Sequence, residues 1–230
     1  MSVIVKICGL ASPDALDVAL DAGADMVGFV FFPPSPRNLS FKTASALESR
    51  VRGRAKKVAL SVDADDTLLS YVVDALGPDI LQLHGSESPL RVAEIKAKFK
   101  LPVMKAIPVE TKGDLAAIAR YAAVADYLLF DARAPREATR PGGLGKTFDW
   151  HVLENLAPGL PFMLSGGLDA GNVAEALRVT RAPGVDVSSG VERAPGEKDP
   201  GKIRAFIRAA RKAALASALP GGQKSPAPSP

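Results

Sequence analysis

Short apolar runs and amphipathic segments alternate eight times along the chain, at intervals of roughly 20 to 30 residues. Few folds accept that rhythm. A strand followed by a helix, repeated, calls for a parallel sheet with helical crossovers, because parallel neighbours cannot be joined by a tight turn. The apolar runs predict strands over 3–8, 25–32, 57–62, 80–84, 102–107, 127–131, 161–164 and 185–188. The intervening segments predict helices over 12–23, 40–51, 65–75, 87–99, 113–121, 148–156, 171–179 and 200–219. The run 25–32 is apolar on both parities, which suits a strand covered on both faces. Ser12-Pro13-Asp14 opens the first helix with a capping hydroxyl and a proline at the first helical position.

Eight units without a break in composition favour closure into a single-domain (β/α)8 TIM barrel over 1–219. An open doubly wound sheet is the alternative. Residues 220–230, all Pro, Gly, Ser, Ala, Gln and Lys, read as a disordered tail. No apolar stretch approaches the roughly 20 residues of a membrane span, and no export signal precedes the first strand. The single cysteine excludes an internal disulfide framework, so the expected compartment is the cytoplasm. The net charge of +4 includes two short basic runs, 52–57 and 96–100. Neither is interleaved with the aromatic residues a single-strand surface uses, so both read as solvated and no nucleic acid is expected. Two histidines and one cysteine argue against a histidine- or thiolate-rich zinc site, and no metal is assigned.

In a barrel, chemistry gathers where the strands end. The first strand brings Lys6 and Cys8 to one side, being two apart. The fourth does the same for Gln82 and His84, the sixth ends in Asp131, and the second leads through a Pro-rich loop to Arg37. After the seventh and eighth strands come Gly166-Gly167 and Ser189-Gly190, small turns that let backbone amides approach an anion, and phosphate binding is expected there. A lone cysteine is commonly a small core residue, and a free thiol is mostly protonated at neutral pH. Cys8 therefore reads either as filler or as a base, with the Lys6 ammonium favouring the thiolate if it lies close. Lys6 and Lys105 read as buried amines paired with carboxylates such as Asp63 or Asp186, and His84 as a hydrogen-bonding group at the site.

The chain resembles the phosphoribosylanthranilate isomerase family of tryptophan biosynthesis. The resemblance rests on Lys6-Ile7-Cys8-Gly9-Leu10, Pro34-Ser35-Pro36-Arg37, Leu81-Gln82-Leu83-His84-Gly85 and Phe130-Asp131-Ala132. It continues in Gly142-Gly143-Leu144-Gly145-Lys146-Thr147-Phe148-Asp149-Trp150, Leu164-Ser165-Gly166-Gly167-Leu168 and the stretch from Val185 to Glu192. It implies an Amadori rearrangement of N-(5-phosphoribosyl)anthranilate, an aldose–ketose isomerisation needing neither cofactor nor metal. The family's general base falls on Cys8 and its general acid on Asp131. Arg37 is implied to face the substrate carboxylate, His84 to face the substrate, and Gly166, Gly167, Ser189 and Gly190 to hold the phosphate of a phosphosugar. A monomer or a homodimer is consistent with this. Leu144 departs from the small polar residue that relatives often carry at that place.

Two rival classes remain on sequence grounds. A class I aldolase would use Lys6 or Lys105 as a Schiff-base nucleophile. A non-catalytic phosphosugar binder would need neither Cys8 nor Asp131.

Overall fold

The computed structural model describes residues 3–135 and 137–218. The tail expected at 220–230 lies outside the described residues. Eight parallel strands close on themselves in chain order: β1 (Ile4–Cys8), β2 (Met26–Phe31), β3 (Lys56–Ser61), β4 (Ile80–Leu83), β5 (Val103–Val109), β6 (Tyr127–Ala132), β7 (Phe162–Leu164) and β8 (Gly184–Val187). Closure is made by β1 against β8, in the register Ile4 with Gly184 and Lys6 with Asp186. The barrel is the expected fold, and the open sheet is excluded.

The helices are α1 (Pro13–Asp21), α2 (Phe41–Val51), α3 (Asp66–Leu76), α4 (Pro89–Phe99), α5 (Ala117–Tyr121), α6 (Val173–Thr180) and α7 (Pro200–Ala218). Ser12, Ser40, Asp65 and Ser88 cap the first four, each side chain accepting from a backbone N–H three residues on. Each such cap satisfies an otherwise orphaned donor and contributes about 1 kcal/mol. The helix expected over 113–121 begins as a 3-10 turn, Lys112–Ala116, before becoming α5. The one expected over 148–156 is only a 3-10 turn, Trp150–Leu153. Glu154 caps it in an extended conformation, Asn155 then turns left-handed at φ 58°, and Pro158 follows, so the turn cannot propagate. Sequence periodicity also gave no sign of the antiparallel hairpin β9 (Glu192–Ala194) and β10 (Glu197–Lys198), which follows β8 and turns at Gly196.

Alternation along the strands sorts the barrel interior into tiers. Met26, Val58, Ile80, Met104, Leu129 and Met163 form an apolar plug at the amino-terminal end of the strands. Above it Lys6, Gln82 and Asp186 make a buried polar tier. The next inward positions, Cys8, Val30, Val62, His84, Asp131, Ser165 and Ser188, open into a pocket. Residues of opposite parity pack outward under the helices, Phe29, Leu81, Leu128 and Phe130 among them.

Lys105 belongs to that outer shell. Its ammonium donates to Glu87 at 3.0 Å and to the carbonyls of Gly85 and Leu83 at 2.7 and 3.2 Å. It is a buried amine as expected, but its carboxylate is Glu87, neither Asp63 nor Asp186. Asp63 instead accepts from the Ser86 N–H at 2.7 Å. The two basic runs are largely spent on neighbouring carboxylates, Arg54 on Asp21, Lys57 on Glu48, Lys96 on Asp126 and Lys98 on Asp66. Among the described residues no helix is long and apolar enough to cross a membrane.

Candidate active site

The pocket at the carboxyl ends of the strands has a volume of about 810 Å³ including its open mouth. Cys8, Arg37, His84, Asp131, Gly166, Gly167 and Ser189 all line it. Seven of the eight expected site residues thus face one cavity; Gly190 is not among its lining residues and packs against the turn after β7, where a Cβ would come within 1.9 Å of the Leu168 carbonyl oxygen.

Cys8 is 3% exposed, ends β1 and pairs in register with Gly28 of β2. Burial pushes the thiol up, and the nearby charge of Asp186 adds to this. Lys6 and Lys198 pull it down but do not outweigh burial. Lys6 therefore acts in the expected direction, but burial outweighs it and its ammonium is shared with Asp186 at 3.0 Å. Lys6 itself is pushed down by burial, yet the Asp186 carboxylate and Cys8 more than restore it, so it holds its charge.

Asp131 lies on β6, five strands on in the chain and three strands round the barrel in the other direction. Its Oδ1 accepts from the Ala132 N–H at 2.9 Å and its Oδ2 lies 3.1 Å from His84 Nε2. The other ring nitrogen of His84 is 2.9 Å from Gln82 Nε2. Both polar atoms of His84 are thus spent on protein, and only the ring's edge is left for a ligand. Two glycines make the space around Asp131. A Cβ on Gly142 would come within 2.6 Å of Asp131 Oδ2, and one on Gly166 within 2.6 Å of the Ala132 nitrogen.

Arg37 is buried, and its Nε and Nη2 both donate to Glu192 at 2.7 Å. Glu192 also takes the Lys198 ammonium at 2.7 Å. Burial works to raise Glu192, but the hydrogen bonds and charges of Arg37 and Lys198 outweigh it and hold the carboxyl below its usual range. Lys198 has the opposite balance: burial lowers it further than Glu192, which it shares with Arg37, can restore. One edge of the Arg37 guanidinium is therefore committed, and the Nη1 end remains toward the pocket, where Gly143 packs so closely that a Cβ would sit 2.7 Å from Nη1.

The Gly166-Gly167 turn has φ of 92° and 62°, values that favour glycine. Among the described residues the amides of Gly166 and Gly167 find no acceptor. Unspent N–H groups beside a cavity are what an anion needs.

Sequence reasoning gave no role to Glu192, Lys198 or Arg140. The first two stand on the hairpin that periodicity did not show. Arg140 lines the pocket from the connection between β6 and β7, with its Nε buried and without a hydrogen-bond partner. The signal was one more basic residue in a Gly- and Pro-rich loop, and nothing in the loop's pattern says which way it points. Gln82 was noted as sharing a face with His84, but not that it bonds to it.

This arrangement brings a sulfur, a carboxyl group, several cations and free backbone amides around one small-molecule pocket. The sequence profile of the family described as N-(5'-phosphoribosyl)anthranilate isomerase matches residues 5–209. Among similar proteins, the N-(5'-phosphoribosyl)anthranilate isomerase of Nitrobacter hamburgensis is 67% identical over 215 residues, covering 94% of this chain and 96% of that one. That of Bradyrhizobium diazoefficiens is 66% identical over 211 residues, covering 92% and 95%. Among solved structures, the Thermotoga maritima phosphoribosyl anthranilate isomerase superposes with a TM-score of 0.82 at 34% identity, covering 91% of this chain and 99% of that one. A second similar structure holds the isomerase in complex with reduced 1-(o-carboxyphenylamino)-1-deoxyribulose 5-phosphate, with a TM-score of 0.78, 31% identity and the same coverage. A third, again from Thermotoga maritima, is of monomers generated from the dimeric isomerase, with a TM-score of 0.78, 32% identity and the same coverage.

Proposed function

The chain belongs to the N-(5'-phosphoribosyl)anthranilate isomerase family, and from that premise we propose that Cys8 and Asp131 perform the isomerisation on one phosphosugar held between them. The reaction is the Amadori rearrangement of N-(5'-phosphoribosyl)anthranilate to 1-(2-carboxyphenylamino)-1-deoxyribulose 5-phosphate, in tryptophan biosynthesis. The observation that carries the assignment of roles is the opening of β1 and β6 into the same pocket, one with a thiol and the other with a carboxyl group.

Asp131, protonated, gives its proton to the ribose ring oxygen. The bond from that oxygen to the first sugar carbon breaks, and the nitrogen lone pair forms a C=N bond in its place. Cys8, as the thiolate, removes the proton from the second carbon, and the electron pair left behind neutralises the iminium to give an enolamine. Protonation of the first carbon and loss of the hydroxyl proton at the second then yield the ketone. General acid and general base catalysis each supply about 10² to 10⁴ in rate.

The remaining groups bind. The Gly166-Gly167 turn, with the Ser189-Gly190 loop packed against it, suits the phosphate. The free end of Arg37 and the guanidinium of Arg140 suit the carboxylate on the aromatic ring. Glu192 divides its single charge between Arg37 and Lys198, so its pair with Arg37 does not fully cancel the attraction of the guanidinium for an anion. Under this reading the enzyme works in the cytoplasm without cofactor or metal, as a monomer or a homodimer.

The decisive measurement follows loss of anthranilate-type fluorescence from the substrate. The wild-type chain is expected to turn it over, and Cys8→Ala and Asp131→Asn, each checked for folding by circular dichroism, are expected to lose about 10² to 10⁴ in kcat/KM. A folded variant with full turnover removes that residue from the mechanism.

A further inference from the structure

Beneath the pocket floor a line of hydrogen bonds crosses the barrel from β8 to β6. Lys6 Nζ donates to Asp186 Oδ1 at 3.0 Å and to Gln82 Oε1 at 2.8 Å. Gln82 Nε2 lies 2.9 Å from His84 Nδ1, and His84 Nε2 lies 3.1 Å from Asp131 Oδ2. Lys6 and Gln82 are both fully buried, at 0% exposure.

The polarity of this line is set at one end. An ammonium has donors and no acceptor, so the amide atom facing Lys6 has to be the oxygen. The amide nitrogen then faces His84, and it too can only donate. Nδ1 of His84 must therefore be the bare, accepting nitrogen. The ring's single proton is left to Nε2, aimed at Asp131.

We propose that Lys6 and Gln82 are positioning residues that lock His84 as the neutral Nε2–H tautomer, so that the imidazole cannot take the proton Asp131 must deliver to substrate. The proposal rests on Asp131 being the acid in the reading above. A free imidazole is the stronger base than a carboxylate by about 2.6 pH units, so the two side by side ordinarily settle as imidazolium and carboxylate. For that to happen here Nδ1 would need its own proton, directly against a Gln82 N–H. Gln82 cannot turn over to present its oxygen, because Lys6 holds that oxygen from the other side. His84 is thereby reduced to a donor that orients the Asp131 carboxyl group without competing for its proton.

The chain has two histidines, His84 and His151, which makes the test direct. Nitrogen NMR of histidine-labelled protein at about pH 7, with the His151→Gln variant used for assignment, reads the state of each ring nitrogen of His84. One protonated nitrogen at Nε2 and one bare nitrogen at Nδ1 are expected. A proton on Nδ1, alone or together with one on Nε2, overturns the proposal. Gln82→Glu places an acceptor opposite Nδ1 in nearly the same volume. It is expected to show a doubly protonated His84 and a kcat lowered about 10- to 100-fold with KM within about twofold. An unchanged tautomer or an unchanged kcat in that folded variant also overturns it. Should Gln82→Glu fail to fold, Gln82→Met, which removes the donor, is read by the same spectrum and is expected to release the ring from the single tautomer; a spectrum identical to wild type counts against the lock. The NMR result does not depend on turnover, so failure of the lock is distinguishable from failure of Asp131 as the acid, which Asp131→Asn reports.

Discussion

Cys8 and Gly28 stand opposite one another on β1 and β2, and a Cβ built on Gly28 would approach the Cys8 sulfur to 2.8 Å. The same Cβ would lie 3.1 Å from the Cys8 Cα, so the conflict involves backbone and cannot be relieved by a side-chain rotation alone. The thiol has room on the barrel rim because its neighbour has no side chain. Gly28→Ala is accordingly expected to cost about 1–3 kcal/mol in stability and to displace the sulfur. Urea denaturation measures the first effect; the second shows as a fall in kcat with folding retained.

Cys8 is the only cysteine, so its alkylation is a clean readout of its ionisation. Only the thiolate reacts. Since burial raises the thiol and the two lysines do not fully offset it, the rate of modification by iodoacetamide is expected to climb with pH and reach half its plateau above the ordinary thiol value of about 8.5. The sign for stability follows. The folded protein prefers the protonated thiol, so this group's contribution is fully present below the unfolded value and is lost as pH rises toward the folded one. A midpoint at or below that of a free thiol would contradict this account of the pocket.

Arg140 offers its guanidinium to the pocket with Nε unpartnered. Arg140→Met keeps the length of the side chain and removes the charge. The expected result is a KM raised about tenfold with kcat changed much less, as for loss of a group that binds substrate and transition state alike. Steady-state kinetics at two salt concentrations checks it, because a charge contact at an open mouth is also weakened by salt.

Glu192 holds Arg37 and Lys198 at once. Glu192→Gln leaves two buried cations facing a neutral amide, and breaking a buried pair of this kind costs about 3–5 kcal/mol. A fall in unfolding free energy of that order is expected, together with weaker substrate binding as Arg37 loses its fixed orientation. Because Glu192 titrates below the usual range, its stabilisation is present above the unfolded value and is lost as pH falls through the folded one. Acid unfolding of wild type and variant, compared, reads that difference directly.

Glu87→Ala probes the outer shell, away from the pocket. Lys105 would be left with carbonyl partners and no counter-charge under α4 and α5. A loss of about 3–5 kcal/mol is expected in denaturant titration, while KM of whatever folded protein remains should be unaltered.

The barrel was legible because its signal is repeated. Eight apolar runs with turn residues between them leave little choice of architecture, and parity alone placed Lys6 with Cys8 and Gln82 with His84. That Cys8 and Asp131 open into one pocket was legible from their positions at strand ends, and their proposed roles came from family resemblance. What stayed hidden was pairing across the barrel. Nothing local in Lys105 distinguishes Glu87 from Asp63 as its partner, since both lie in loops after neighbouring strands. The hairpin at Glu192–Lys198 is too short to carry a period, and with it the grip on Arg37 was invisible. The expected helix over 148–156 failed for a local reason, the left-handed Asn155, that residue type alone does not dictate.

Lys6 takes its carboxylate from Asp186, which lies 180 positions further along the chain. During synthesis from the amino terminus the cysteine strand emerges long before β8, and the counter-ion for the amine beside it arrives only with that closing strand. Until then the ribosome-bound chain carries an unneutralised lysine where the finished molecule has an interior, and the sheet has two open edges. A thiol that reacts quickly on the nascent polypeptide and slowly after release would be the outward sign of that late closure.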